Sequence, residues 1–228
     1  MKFTGEYYIP SVSSPRIEKE HLERYKFAQA FVKNKKVLDI ACGTGYGSNM
    51  MLAAGAEKVD GVDISKEALS YARKHYKSGK LSFKLGDLLE LKAKQKYDVV
   101  TSFETIEHIS KYQLALKNIY TALKKEGILL ISSPNRIITS PDSKNLSDKP
   151  LNKYHTQEFS RTELVNELEN IGFQINKVYG QRFRPYLGNP KLQKLYNVLF
   201  SPNTKTSPIV SPWNKYSPKY IVVLAQKL

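Results

Sequence analysis

Val37-Leu38-Asp39-Ile40-Ala41-Cys42-Gly43-Thr44-Gly45-Tyr46-Gly47 is the stretch whose reading decides the fold. A short apolar run ends in an acid, and a glycine-rich turn follows. The turn opens onto a helix that passes through Met50, Met51 and Leu52. Glycine lets the backbone approach a ligand closely, and the first N–H groups of a helix have no partner inside it. A strand, a bare turn and a helix start in that order suit a nucleoside-bearing ligand.

The pattern continues outward at even spacing. Residues 57–63 read as a second strand ending in Asp63, and Ser65 caps the next helix, with Glu67 in its first turn. Residues 81–85 and 97–103 give a third and a fourth strand. A helix over 112–125 leads to Gly127, which turns the chain into a fifth strand at 128–131. Short apolar runs alternating with helical patterns predict βαβ units and a parallel sheet.

Past Pro134 the texture changes. Residues 135–156 are polar and carry Pro141 and Pro150, which predicts a long loop of the kind that is usually functional. Residues 162–171 form an amphipathic helix stopped by Gly172, and 173–179 and 220–224 read as two late strands. Between them, 184–219 is a basic insert with an amphipathic stretch at 191–200. Residues 1–34 form an N-terminal arm and a helix over 17–32. Residues 1–228 are expected to make a single domain.

At 228 residues and 41% hydrophobic, the chain can bury a full core without disulfides. Its one cysteine, Cys42, excludes an internal disulfide framework and a multi-cysteine zinc site. The opening MKFTGEYYIP has no apolar core of a signal peptide, and no run is long enough to span a bilayer, so a cytoplasmic location is expected. Residues 181–228 hold eight Lys/Arg and no acid, and so supply +8 of the net +15. Such a field favours an anionic partner, whether RNA, an acidic small molecule or a membrane surface, or simply solubilises the chain.

Asp63 falls about 20 residues after the glycine turn, where a carboxylate can accept both hydroxyls of a ribose. A dinucleotide fold is the competitor. Asp39 argues against it, because a pyrophosphate at this turn would meet a repelling charge. S-adenosylmethionine carries no phosphate, and its ammonium and sulfonium would be attracted.

With these residues in view, the chain resembles the class I S-adenosylmethionine-dependent methyltransferases. Residues 37–47 look like the family's first motif, Gly61-Val62-Asp63-Ile64-Ser65 its ribose acid, and Gly86-Asp87-Leu88 its adenine-side motif. Phe103-Glu104-Thr105-Ile106-Glu107-His108 matches the motif after strand four, and Leu123 to Leu130 the run into strand five. The resemblance implies an α/β, Rossmann-like sheet of seven strands, six parallel and the last antiparallel. It implies cofactor contacts from Asp39, Ala41, Gly43, Gly45, Asp63, Ile64, Asp87, Leu88 and Phe103. Plain structural roles compete at two of them: a turn for Asp87, a cap for Asp63. The resemblance also implies that the N-terminal arm and helix cover the cofactor as a lid, so that Arg24 or Tyr25 on the lid helix could reach the methionine carboxylate, with solvation of that face as the alternative.

The acceptor is constrained by exclusion. Carbon-5 cytosine methylation needs a cysteine near the acceptor, and Cys42 lies in the cofactor turn. The Asn/Asp-Pro-Pro-aromatic cluster of amino-methylating DNA enzymes is replaced by Ser102-Phe103-Glu104-Thr105. Glu104, Glu107 and His108, at i, i+3 and i+4 of a helical turn, would converge, and His155 is expected beside them. Two Glu and two His could hold a divalent ion of the Mn, Co, Zn or Mg type. Alternatively His108 or His155, with Glu104, provides metal-free acid–base catalysis. The set is similar to that of metal-dependent methyltransferases of small-RNA ends, and the Glu-His pair to ubiquinone-pathway O-methyltransferases. His21 and His75 read as surface residues. Phe183, Tyr186 and Trp213 line the acceptor site or pack the core. The leading reading is O-methylation of a small molecule such as a sugar, glycan precursor or vicinal diol. RNA ribose 2′-O-methylation and a non-catalytic or membrane-surface module are the alternatives.

Overall fold

The computed structural model describes residues 14–200 and 207–228; the expected arm at 1–13 and residues 201–206 of the basic insert lie outside the described residues. The strands are β1 Lys36–Ile40, β2 Lys58–Asp63, β3 Leu81–Leu85, β4 Tyr97–Phe103, β5 Leu123–Pro134, β6 Phe173–Arg184, β7 Ser211–Pro212 and β8 Ser217–Lys227. They form one sheet in the order β3-β2-β1-β4-β5-β8-β6-β7. The first five pair in parallel. β8 runs antiparallel to both β5 and β6, so β6 points the same way as the first five. That is the expected arrangement with one addition: the two-residue β7, from inside the expected insert, pairs antiparallel with β6. Pro212 has no N–H to give a further neighbour, and an edge tolerates that.

The helices are α1 Pro15–Ala28, α2 Tyr46–Ala53, α3 Lys66–His75, α4 Tyr112–Ala122, α5 Arg136–Thr139, α6 Arg161–Ile171 and α7 Pro190–Phe200. Alternation along the strands divides the core between the two faces. Val37, Val59, Val99 and Leu130 pack with Tyr25 and Ala28 of α1 and Met51 of α2. Their neighbours Leu38, Val100, Leu129 and Ile131 pack with Leu116 and Ile119 of α4 and Leu164 and Leu168 of α6. Local caps agree with this plan. Ser14 accepts from Ile17 N ahead of Pro15, Ser65 caps α3, and Ser160 with Glu163 forms a reciprocal box at α6.

Several boundaries differ from expectation, among them α1, which spans Pro15–Ala28 rather than 17–32, and β5, which spans Leu123–Pro134 rather than 128–131. α4 stops at Ala122 rather than at residue 125, because Leu123 already pairs with Tyr97 in the sheet. The late strands are longer than expected, since their mutual ladder runs from Phe173↔Lys227 to Arg184↔Ser217. Arg184 and Ser217 to Lys219 therefore belong to strands, and the insert shrinks. The expected loop at 135–156 contains the short α5, and Asn135 ties it to the Pro218 carbonyl at 2.8 Å. Among the described residues no helix is long and apolar enough to cross a membrane.

Candidate active site

At the carboxyl ends of β1, β2 and β4 lies a cavity of about 570 Å³, within the size range of small-molecule sites. Ala41 and Gly43 line it with positive φ of 53° and 54°. The Cys42 N–H donates to Val62 O, which lays the turn against β2. Asp63 closes this junction: its Oδ2 accepts from Gly43 N at 2.7 Å and its Oδ1 from Ser65 N at 2.8 Å. Asp87 lines the wall and accepts from Leu89 N at 2.8 Å, so it both caps a turn and faces the cavity. Ile64, Leu88 and Phe103 supply apolar wall. A side chain at Gly43 would meet no atom within 4 Å, which marks open space at the turn. Two carboxylates, a bare backbone and an apolar slot fit an adenosyl ligand with a cationic tail.

Two expected cofactor residues lie elsewhere. Asp39 is fully buried behind the turn and lines neither cavity. Its carboxylate accepts from Ser48 Oγ at 2.6 Å, Thr101 Oγ1 at 2.7 Å and the Tyr25 hydroxyl at 3.0 Å. Burial pushes it up to about 6, against the pull of those three donors. It fastens α1 and α2 to the sheet, and touches the cavity only through Tyr25, which does line it. Gly45 is likewise absent from the wall. Its φ of +80° and the closeness of Phe83 and Ala72, 2.6 and 2.7 Å from where a Cβ would stand, make it a packing glycine.

The lid helix also departs from expectation. Arg24 is buried rather than solvated, and donates to Gln181 Oε1 at 2.8 Å. His21 is no surface residue: it faces the cavity, with Nδ1 3.0 Å from the Tyr46 hydroxyl. Burial, then the Arg24 charge, hold its pKa well below the usual imidazole value. Glu20 pairs with Arg182 Nε at 2.8 Å and accepts from the Tyr220 hydroxyl at 3.0 Å. α1 is thus clamped to β6 and β8 by partners about 160–200 positions away. No local pattern announces such contacts. His75 is exposed, as expected.

A second, polar cavity of about 290 Å³ adjoins the first, and His21, Glu104 and His108 line both. Glu107, His108 and His155 come together, with one potential ligand atom from each lying within 4.8 Å of the others. Glu104 stands outside that group. It sits at φ +49°, ahead of the 3-10 turn Ile106–His108 rather than on a shared helical face, and takes a hydrogen bond from Ser132 Oγ at 2.7 Å. His108 Nδ1 lies 3.0 Å from Tyr154 O, so Nδ1 carries the proton and Nε2 is the basic nitrogen. His155 Nδ1 is 2.6 Å from Glu158 Oε1 and Nε2 is 2.9 Å from Asn152 Nδ2. Glu107 is buried with Oε2 unpartnered; burial, then Glu104 and Glu158, raise its pKa well above the usual range. Burial also raises Glu158, but hydrogen bonds from His155 and Thr139 outweigh it and hold the carboxyl low. Opposite stand Arg24 and Lys219, the latter lowered to about 8 by burial. Glu158, three residues after His155, was legible as a partner only once the histidine had been placed. Phe183, Tyr186 and Trp213 line neither cavity.

Comparison with known proteins agrees with the fold. The methyltransferase domain family matches residues 31–190. A Mycolicibacterium smegmatis protein named as a probable S-adenosylmethionine-dependent methyltransferase is 31% identical over 182 residues, covering 79% of this chain and 68% of that protein. A Pelagibacter ubique ubiquinone biosynthesis O-methyltransferase is 38% identical over 111 residues, covering 48% of this chain and 46% of its own. The crystal structure of a Mesorhizobium loti S-adenosylmethionine-dependent methyltransferase superposes with TM-score 0.66 at 16% identity, covering 91% of this chain and 98% of that one. The chain belongs to the methyltransferase domain family, in the S-adenosylmethionine-dependent, class I branch.

Proposed function

We propose that this enzyme O-methylates a small hydroxyl-bearing acceptor, a sugar, glycan precursor or other vicinal diol, held in the polar cavity. The observation that carries the reading is the junction of the two cavities at His108, where an imidazole with its Nδ1 pinned faces both. When bound, S-adenosylmethionine supplies a methyl carbon on a sulfonium. In the first cavity Asp63 accepts the ribose hydroxyls, Ile64, Leu88 and Phe103 flank the adenine, and Gly43 leaves room for the nucleoside. His108 Nε2 takes the hydroxyl proton as the acceptor oxygen bonds to the methyl carbon and the carbon–sulfur pair stays with sulfur. Glu104 holds a neighbouring hydroxyl, and His155, engaged by Glu158 and Asn152 at its two nitrogens, braces the wall beside it. Alignment supplies most of the acceleration in such an in-line transfer.

A second reading rests on the unpartnered, buried Oε2 of Glu107. With His108 and His155 it offers a mixed oxygen and nitrogen set suited to a divalent ion of the Mn, Co, Zn or Mg type, which would lower the pKa of a bound hydroxyl. Glu104 is not part of that set. One experiment separates the two. S-adenosylhomocysteine release is followed across a panel of diols, monosaccharides and catechols, with excess chelator and with added Mn. Turnover that survives chelation and falls at least ~100-fold in His108→Gln supports the base. Loss on chelation with recovery on Mn supports the ion. No turnover of any hydroxyl acceptor, with turnover of RNA that collapses as salt rises, would replace both with the ribose reading. Four of the eight cations in 181–228 are engaged inside the fold, which favours the small acceptor: Arg182 on Glu20, Arg184 buried, Lys219 in the cavity and Lys227 on two carbonyls.

A further inference from the structure

A surface helix ordinarily buries its apolar stripe and turns its polar side to water. α7 is the reverse. Gln193 is fully buried and accepts from Leu187 N at 3.0 Å. Asn197 donates to the Ile138 carbonyl of α5 at 2.6 Å and accepts from Arg184 at 3.5 Å. Lys194 pairs with Asp142. Hydrogen bonds and an ion pair hold this helix to the protein. Its outer side carries Leu192, Leu195, Val198, Leu199 and Phe200, exposed by 53, 54, 73, 57 and 49%, too much for residues seated in a core. Leu192, Leu195 and Leu199 recur at i, i+3 and i+7, so they form one stripe. Tyr186 and Leu187, also exposed, extend it at the helix start.

We propose that α7 is an interfacial helix that seats the enzyme on an anionic lipid surface beside the acceptor cavity. The charge balance selects this occupant. Residues 181–228 contain no acid, the whole chain is +15, and Lys191 lies one turn before Leu195 on the same side. Leucines flanked by lysine on a positively charged body match the requirements of anionic headgroups above an acyl layer. A second copy would bring two +15 chains together against their repulsion, and nucleic acid is contacted through phosphates rather than leucines. The position is suggestive as well. Asn197 is anchored on Ile138, and the next residue, Thr139, lines the polar cavity. An acceptor with a polar head on a lipid tail would present that head at the cavity while its tail stays in the bilayer. The membrane contact itself does not depend on the reading of the catalytic groups.

The test is co-sedimentation of the full chain with phosphatidylglycerol–phosphatidylcholine vesicles and with phosphatidylcholine alone. Binding to the anionic vesicles is expected to be at least ~10-fold tighter. Leu195→Gln with Leu199→Gln should weaken it at least ~10-fold while thermal midpoint and S-adenosylmethionine affinity stay unchanged, because both side chains are already in solvent. No anionic binding, or binding that survives the double substitution, overturns the proposal. So does a concentration-dependent dimer that the same substitution dissolves.

Discussion

Replacing Gly43 with alanine should separate ligand binding from folding. Gly43 sits at φ +54°, and a Cβ there meets nothing within 4 Å. The folded protein therefore incurs only the cost of a left-handed L-residue, about 1–2 kcal/mol. At this chain length that lowers the thermal midpoint by roughly 2–8 °C. The ligand suffers more, because the methyl group stands in the opening that the nucleoside must use. A loss of at least ~100-fold in affinity, about 2.7 kcal/mol, is expected. Differential scanning fluorimetry gives the first number and isothermal titration with S-adenosylmethionine the second. Gly45→Ala is the contrast: its Cβ would lie 2.6 Å from Phe83 and 2.7 Å from Ala72, so about 1–3 kcal/mol of overpacking is added. The Gly45 variant should melt lower than the Gly43 variant. Gly43→Ala binding within threefold of the parent would refute the assignment of the turn as the cradle, as would affinity losses in the two variants that merely track their melting points.

Asp63→Ala should lose both ribose acceptors and the two backbone bonds that shape the junction, abolishing measurable cofactor binding; unchanged titration affinity would remove Asp63 from the site. Glu20→Ala leaves Arg182 and Tyr220 without a buried carboxylate and should cost about 3–5 kcal/mol in denaturant unfolding, partly recovered in Glu20→Met with Arg182→Met. A single-variant loss under ~1 kcal/mol would show that the clamp is not structural. Lys219 gives a pH signature. Its pKa is about 8 when folded and 10.5 by ordinary chemistry, so between these values the unfolded chain binds more protons and stability rises with pH. Lys219→Met should therefore be the more stable protein near neutrality, with its advantage fading through that window. An advantage independent of pH would mean that packing, not charge burial, is responsible.

The parallel half of the sheet was legible because its central strands, β1 and β4, are buried on both faces and read as short apolar runs between turn residues; β3, at the edge, is half exposed. The place of Asp63 in the cavity wall was legible for a similar reason: a strand-end acid at fixed distance from a glycine turn falls beside that turn. Asp39 misled, since its place in the motif resembles a ligand contact. Its three donors, Tyr25, Ser48 and Thr101, come from separate elements and carry no shared local pattern. Glu104 falls outside the Glu107, His108 and His155 cluster for a geometric reason: it sits at positive φ, off the short turn that carries Glu107 and His108. The amphipathicity of α7 was visible in the sequence, but its orientation was not. Periodicity shows that two sides differ, and only the contacts of Gln193 and Asn197 tell which one faces the protein.

The fastening of α1 by Glu20 and Arg24 to the final hairpin carries a kinetic consequence. His21 and Tyr25, on the same helix, line the first cavity, so a ligand leaving past that helix would have to rupture a desolvated ion pair. Exchange of spent for fresh methyl donor should then be paced by helix unlatching rather than by methyl transfer, and Glu20→Ala should hasten S-adenosylhomocysteine escape in stopped-flow chase. A dissociation rate indifferent to that change would mean that the slot empties by another door.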